Sequence, residues 1–333
     1  MTLILLFFLI DIAKQLIKIM TLTNIRFPED NPFSRIKVRH IFGWLLLFTI
    51  VIAFQLAIIS NILGINLDNK EPLFDALLGA YLVILSLSLF WRECRLAGIE
   101  IKYLIGKVPE RYQWLPLVSL AIASVVFLIG VFGIFYYPLS FIVPSFVEQI
   151  LTENIKSSIL IAASKSVSPA LYYLQFALDT YVITPVLATF FLISIPLHRW
   201  AAKWGNITAI IAMCLLLGTV AYKNFTTMII SLLIYAILYI KTRSLLVVII
   251  FTSLQNISFT VWNLSYTIFF GDNLTGSTLE IFRSQIQLRV LFFALSAPWV
   301  IGFIYKNWSV LKGPLPYFAN AAEAEKIKAD SET

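Results

Sequence analysis

The sequence is short of charge, histidine and cysteine. Only 13% of its 333 residues are Asp, Glu, Lys or Arg and 59% are hydrophobic, whereas soluble domains hold about 25% charged and about 45–50% apolar residues. With a mean hydropathy of +0.87, the composition is that of a polytopic membrane protein. Two cysteines, Cys94 and Cys214, cannot build a disulfide framework, and neither sits in a C-x-x-C pair, so redox and zinc-finger readings drop out. The two histidines, His40 and His198, each lie beside an arginine at the end of an apolar run, and no H-E-x-x-H or similar metal-ligand spacing occurs. No phosphate-binding G-x-x-x-x-G-K-[ST] or G-x-G-x-x-G loop is present, and no G-x-S-x-G nucleophile turn. The net charge of +7 is spread over short loops rather than gathered in a patch, which argues against nucleic acid as a partner.

What the chain does contain is long apolar runs. A bilayer core of about 30 Å needs roughly 20 apolar residues per helix. Eight such runs occur, near residues 42–64, 73–91, 115–137, 170–197, 205–221, 224–240, 244–266 and 287–305. The expected fold is therefore all-α: a transmembrane helical bundle of about eight spans, multi-pass in the bilayer. Nineteen Lys and Arg fall on one side of these spans and five on the other, with Arg289 inside the last run. The positive-inside rule then places both termini in the cytoplasm.

The runs divide the chain into five parts. Residues 1–40 form an N-terminal cytoplasmic or interfacial segment. Residues 41–168 hold the first three spans, a cytoplasmic amphipathic stretch and an external connection; 169–266 form a four-helix region; 267–306 an external loop and the last span; and 307–333 a cytoplasmic tail. The opening MTLILLFFLI lacks the basic and small-residue regions of a secretory signal. It reads as an interfacial helix, with translation starting at Met1 or at Met20. RECRLAGIEIKYLIGKVPERYQW suits a helix at the cytoplasmic headgroups. VEQILTENIKSSILIAA is expected as an amphipathic helix capping the outer face, and the polar AEAEKIKADSET as disordered.

Ionisable residues within spans are functional candidates by default. Asp179, in FALDTYVITP, is one, open to a water-facing role or a hydrogen bond to a neighbouring span. Asp75, near the start of the second run, reads as a headgroup residue.

From Ile183 to Asn256, ITPVLATFFLISIPLHRWAAKWG, LLLGTVA and LYIKTRSLLVVIIFTSLQN resemble the bacterial CPBP intramembrane metalloproteases, the family of CAAX prenyl protease 2. About ninety residues are covered. Pro185-Val186 precedes the first motif, His198-Arg199-Trp200 follows it, Gly218 lies in the second, and LYIKTRSL leads into the third. The resemblance implies Glu-Glu-x-x-x-Arg, Phe-x-x-x-His and His-x-x-x-Asn elements around a metal-dependent site. In that register Ala188 and Thr189 stand at the glutamates, Ile193 at the arginine, and Ala221 and Thr252 at the histidines; only Asn256 is retained. No Glu lies between Glu153 and Glu280 and no His follows His198, so no shift of register restores either.

Ala and Ile neither accept a proton nor bind a cation. The expectation is a pseudoenzyme of a bacterial cell membrane, with no cofactor or metal, that binds another membrane protein, a lipid or a hydrophobic or prenylated peptide. One alternative is a protease with an unorthodox site built from Asp179, Thr252, Gln255 and Asn256. A further alternative is a transporter, with the fourth helix broken at Pro185 and Pro196. Residues 188, 189, 193, 221, 252 and 256 are expected to line one shared pocket.

Overall fold

Each of the eight apolar runs becomes a helix, because inside a bilayer the backbone must satisfy its own hydrogen bonds. The structure, a computed structural model, describes residues 31–36, 38–63, 72–156, 163, 166, 168–221, 224–270 and 278–332. The expected N-terminal interfacial helix lies outside them, as do the side chains of His40 and Asp75. Among the described residues there are helices and no strands.

In chain order these helices are α1 (Val38–Leu63), α2 (Pro72–Ala97), the short α3 (Ile101–Ile105), α4 (Trp114–Ile142) and α5 (Pro144–Lys156). There follow α6 (Pro169–Trp204), α7 (Asn206–Val220), α8 (Phe225–Thr242) and α9 (Leu245–Phe270). The last are α10 (Thr278–Ser284), α11 (Ile286–Asn307) and α12 (Pro316–Glu332). Five of them, α4, α6, α8, α9 and α11, are long and apolar enough to cross a membrane. Large apolar side chains point outward along the bundle, among them Leu46, Phe54, Ile84, Leu115, Leu295 and Trp299. Such a surface suits acyl chains rather than water. This is an integral membrane protein.

α4 is the axis of the fold and packs along α11, α9 and α8. The approach to α11 is closest where α4 has glycine: a Cβ on Gly130 would lie 2.6 Å from the Phe293 backbone nitrogen, and one on Gly133 2.4 Å from Arg289 Cδ. Small residues at a helix crossing are how membrane helices gain contact without a hydrophobic drive. α6 and α7 form a hairpin that turns at Gly205, whose φ of +77° suits a residue without Cβ.

Two end structures close the bundle. On one side α5 lays Val147, Ile150 and Leu151 against Tyr136 of α4 and Leu279 and Phe282 of α10. α5 covers the first part of the amphipathic stretch expected over 147–163 and ends at Lys156; residues 157–162 lie outside the described ones. On the other side the 3-10 turn Pro32–Arg35, the end of α6 and the start of α12 meet around His198. Phe33 stacks on the imidazole at 4.7 Å, Tyr317 packs edge-on against Phe33, and Tyr239 of α8 closes the group. His198 Nδ1 lies 2.7 Å from the Ser194 carbonyl, and Nε2 accepts from the Tyr317 N–H at 3.2 Å. Together these bonds require a neutral ring with its proton on Nδ1. Arg199 donates to the carbonyls of Phe33, Ser34 and Ile36.

Two expectations are corrected at this end. The tail expected as disordered is helical from Pro316 to Glu332. Its first turns dock through Tyr317 and through Asn320, whose amide donates to the carbonyls of Tyr103 and Arg243, and its Ala, Glu and Lys are good helix formers. The stretch expected as one headgroup helix, 92–114, is divided instead: its start is the last turns of α2, and beyond Ala97 it is helical over Ile101–Ile105 until α4 begins at Trp114. Its Ile99 and Leu104 are buried in the main core rather than turned to lipid, and Tyr239 donates from its hydroxyl to the Leu104 carbonyl.

Candidate functional site

α6 is a continuous 36-residue helix that widens twice into π-helix, over Asp179–Ile183 and Thr189–Ser194. Both widenings have one cause. The Thr184 N–H reaches back five residues to the Asp179 carbonyl, and the next donor in line is Pro185, which has none. The Ile195 N–H reaches the Phe190 carbonyl in the same way, and the next residue is Pro196. A proline ring collides with the carbonyl four residues back in an α-helix; one extra residue in the turn removes the collision without ending the helix. The two prolines therefore widen α6 where a transporter-like break was expected.

A widened turn before proline leaves carbonyls without donors, and α9 supplies them. Asn256 Nδ2 donates to the Thr180 carbonyl at 2.7 Å, and Ser253 Oγ to the Tyr181 carbonyl at 2.7 Å. Two polar side chains one helical turn apart on α9 thus serve two consecutive carbonyls of the widened turn before Pro185. Next to this seam a relay of side chains joins three helices. Tyr235 of α8 donates to Gln255 Oε1, Gln255 Nε2 donates to Ser124 Oγ of α4 at 3.0 Å, and Ser124 Oγ donates to the Ala121 carbonyl at 2.7 Å.

Beyond the relay lies a cavity of about 490 Å³, within the range of about 300–1,000 Å³ common for ligand pockets. It is lined by residues of α4, α8, α9, α10 and α11 and by Leu151 of α5. The lining mixes polar side chains, among them Asn224, Ser231, Gln255, Asn256 and Asn263, with apolar and aromatic ones, among them Leu128, Phe132, Phe259, Trp262 and Phe282. Among the described residues no Asp, Glu or His lines it, and Arg289 is its one permanent charge. The cavity occupies the half of the bundle capped by α5, away from the His198 end.

The eight residues marked by sequence fare differently. Gln255 and Asn256 line the cavity; Ala188, Thr189, Ile193, Ala221 and Thr252 are not part of its lining. Their helices do pack together, α6 lying against α9 along both widened segments and touching α7 and α8 over Thr189–Ser194. Thr189 and Thr252 are buried and donate to carbonyls of their own helices, Pro185 at 2.6 Å and Val248 at 2.9 Å. Ile193 is buried, Ala188 is half-buried, and Ala221 terminates α7. The Asp179 carboxylate lies towards α2, with Oδ1 3.5 Å from where a Cβ on Gly79 would stand. Asn256 reaches the backbone beside Asp179, and Gln255 is held by Tyr235 and Ser124.

Arg289, noted in the sequence only as a charge within the last run, is the residue the candidate set lacked. Its signal was present: a lone guanidinium in an apolar span. Among the described residues no group of three or more His, Cys, Asp or Glu is placed to hold a metal ion. No family model matches the chain, and neither a curated protein nor a solved structure gives a significant match.

Proposed function

We propose that this chain is an eight-span membrane protein with both termini cytoplasmic, built on a CPBP-like scaffold, that binds an apolar or amphiphilic membrane ligand without hydrolysing it. The observation that carries the binding half is the cavity of about 490 Å³, whose lining combines amide and hydroxyl side chains with aromatic and aliphatic ones. Such a mixed lining suits a molecule with a polar head and a hydrocarbon body. A lipid or a prenylated or hydrophobic peptide has this form.

The non-hydrolytic half rests on chemistry. Hydrolysis of an amide needs a group to take a proton from water and groups to stabilise the oxyanion. At the positions corresponding to the family's motifs stand Ala188, Thr189, Ile193, Ala221 and Thr252. Both threonine hydroxyls are spent on their own backbones, and the described lining of the cavity holds no carboxylate or imidazole. The eight-span topology is supported by α1, α2 and α7, which occupy the remaining three apolar runs.

The test is direct. The protein, purified in detergent, is incubated with prenylated and unprenylated peptides, with and without added zinc; intact peptides are expected. Turnover lost on Asn256→Ala or Asp179→Asn would instead establish the unorthodox protease. Single cysteines at positions 165 and 328 are expected to label from opposite sides in sealed vesicles, and labelling from one side would refute the topology.

A further inference from the structure

Arg289 is unusually placed for a cation. Its stem lies in the notch left by Gly133, and its guanidinium sits 4.8 Å from the Phe282 ring centroid and 6.0 Å from that of Phe132. Its Nε has no hydrogen-bond partner among the described residues. Aromatic faces offset part of the cost of holding a cation away from water, but a buried charge is ordinarily paired as well. No carboxylate of the described residues lines the cavity. A second polar atom of the same lining is also unmatched: Thr278 Oγ1, at the start of α10, is buried without a partner among them. The cavity lining therefore holds two buried donor atoms without a partner among the described residues, Arg289 Nε and Thr278 Oγ1, together with Asn263 and the apolar Leu128, Ile129, Phe132 and Phe259.

We propose that this cavity is a binding site for an amphiphile with an oxyanion head, a carboxylate or a phosphate. The head pairs with Arg289 and Thr278, and the hydrocarbon lies along Leu128, Phe132 and Phe259. Guanidinium is the side chain best matched to such heads, since its fork donates two parallel hydrogen bonds to carboxylate or phosphate oxygens. The proposal rests on the ligand-binding reading above and assigns the charge and geometry of the ligand's head.

The experiment uses the full chain in a nonionic maltoside detergent, with binding followed by native mass spectrometry and by thermal shift. The probes are oleate, phosphatidylglycerol, an uncharged diacylglycerol and inorganic phosphate. Oleate or phosphatidylglycerol is expected to bind and the diacylglycerol to bind at least tenfold more weakly. Arg289→Gln is expected to weaken the anionic probe by about 10- to 100-fold, the equivalent of one charge-assisted hydrogen-bonded pair. Arg289→Lys should recover part of that loss, and Thr278→Val should weaken binding by several-fold, giving a readout should Arg289→Gln not fold.

Equal binding of the uncharged diacylglycerol and phosphatidylglycerol, or undiminished binding by folded Arg289→Gln, would overturn the proposal. Inorganic phosphate stabilising the protein as much as oleate would overturn the amphiphile and leave a site for a free anion. Absence of anion binding by the folded native chain would overturn the proposal as well. The two readings fail separately. Lack of anion binding with peptides left intact removes only this proposal, whereas peptide cleavage removes the non-hydrolytic reading whatever lipid binds.

Discussion

Pro185 has no N–H to give, and Asn256 gives one in its place to the Thr180 carbonyl. The two residues should therefore be energetically coupled although they lie on different helices. Asn256→Ala removes the donor and leaves a carbonyl stranded between membrane helices. Side-chain hydrogen bonds between such helices are worth about 0.6 kcal/mol on average and about 1.7 at most, and an unsatisfied buried polar group costs about 1–3 kcal/mol. A loss of roughly 1–1.5 kcal/mol is expected. Pro185→Ala restores one backbone donor, and at the five-residue spacing of this turn the Thr180 carbonyl regains a partner within α6. On that background Asn256→Ala should cost less than about 0.5 kcal/mol, a coupling of about 1 kcal/mol. The assay is reversible unfolding in mixed micelles, read by far-ultraviolet circular dichroism and by the fluorescence of the eight tryptophans. Equal costs of Asn256→Ala in the native chain and in the Pro185→Ala variant would refute the idea that proline created the need for the amide.

Other outcomes follow from the same structure. Gly130→Ala should destabilise by about 1–3 kcal/mol, the usual range for overpacking, because its Cβ would meet the α11 backbone at 2.6 Å. Gly302→Ala, with nothing within 4 Å, should gain about 0.5–1 kcal/mol from helix propensity; the reverse order in thermal unfolding would mean that α4 and α11 do not pack through Gly130. His198→Ala removes the acceptor of the Tyr317 N–H and the ring stacked on Phe33. It should release α12 and raise the rate of limited proteolysis within 316–332, and unchanged cleavage would show that the helix docks without the imidazole. Tyr235→Phe strands Gln255 Oε1 and should cost about 1–3 kcal/mol, whereas Gln255→Leu on that background should recover part of it. A double mutant no more stable than Tyr235→Phe would argue against the relay.

Helix placement was legible in the sequence because apolar run length is a direct consequence of bilayer thickness. The runs 205–221 and 287–305 became Asn206–Val220 and Ile286–Asn307, within two residues at each end. The widened turns of α6 were legible only as prolines: Pro185 and Pro196 announced a disturbance, but whether the helix breaks or swells depends on donors offered by Ser253 and Asn256 from another helix. The tail misled because polar composition carries no trace of the docking that Tyr317 and Asn320 achieve. Ile99 and Leu104 misled for a related reason, since an amphipathic stretch does not state whether its apolar side meets lipid or protein. The cavity was the least visible feature. Its lining comes from five helices and the capping α5, and no single stretch holds enough of it to stand out, whereas Arg289 stood out locally and was discounted as topology.

The clasp around His198 ties residues translated far apart in time. Phe33 leaves the ribosome nearly three hundred residues before Tyr317, an interval of about 15–60 s at ordinary rates of synthesis. Once His198 has itself been made, the imidazole has its Ser194 carbonyl and its Phe33 stack within reach, but it waits for the N–H that completes it until Tyr317 follows. α12 therefore works as a latch: the earlier spans can assemble in the bilayer, yet this end of the bundle is fastened only once Tyr317 has been made.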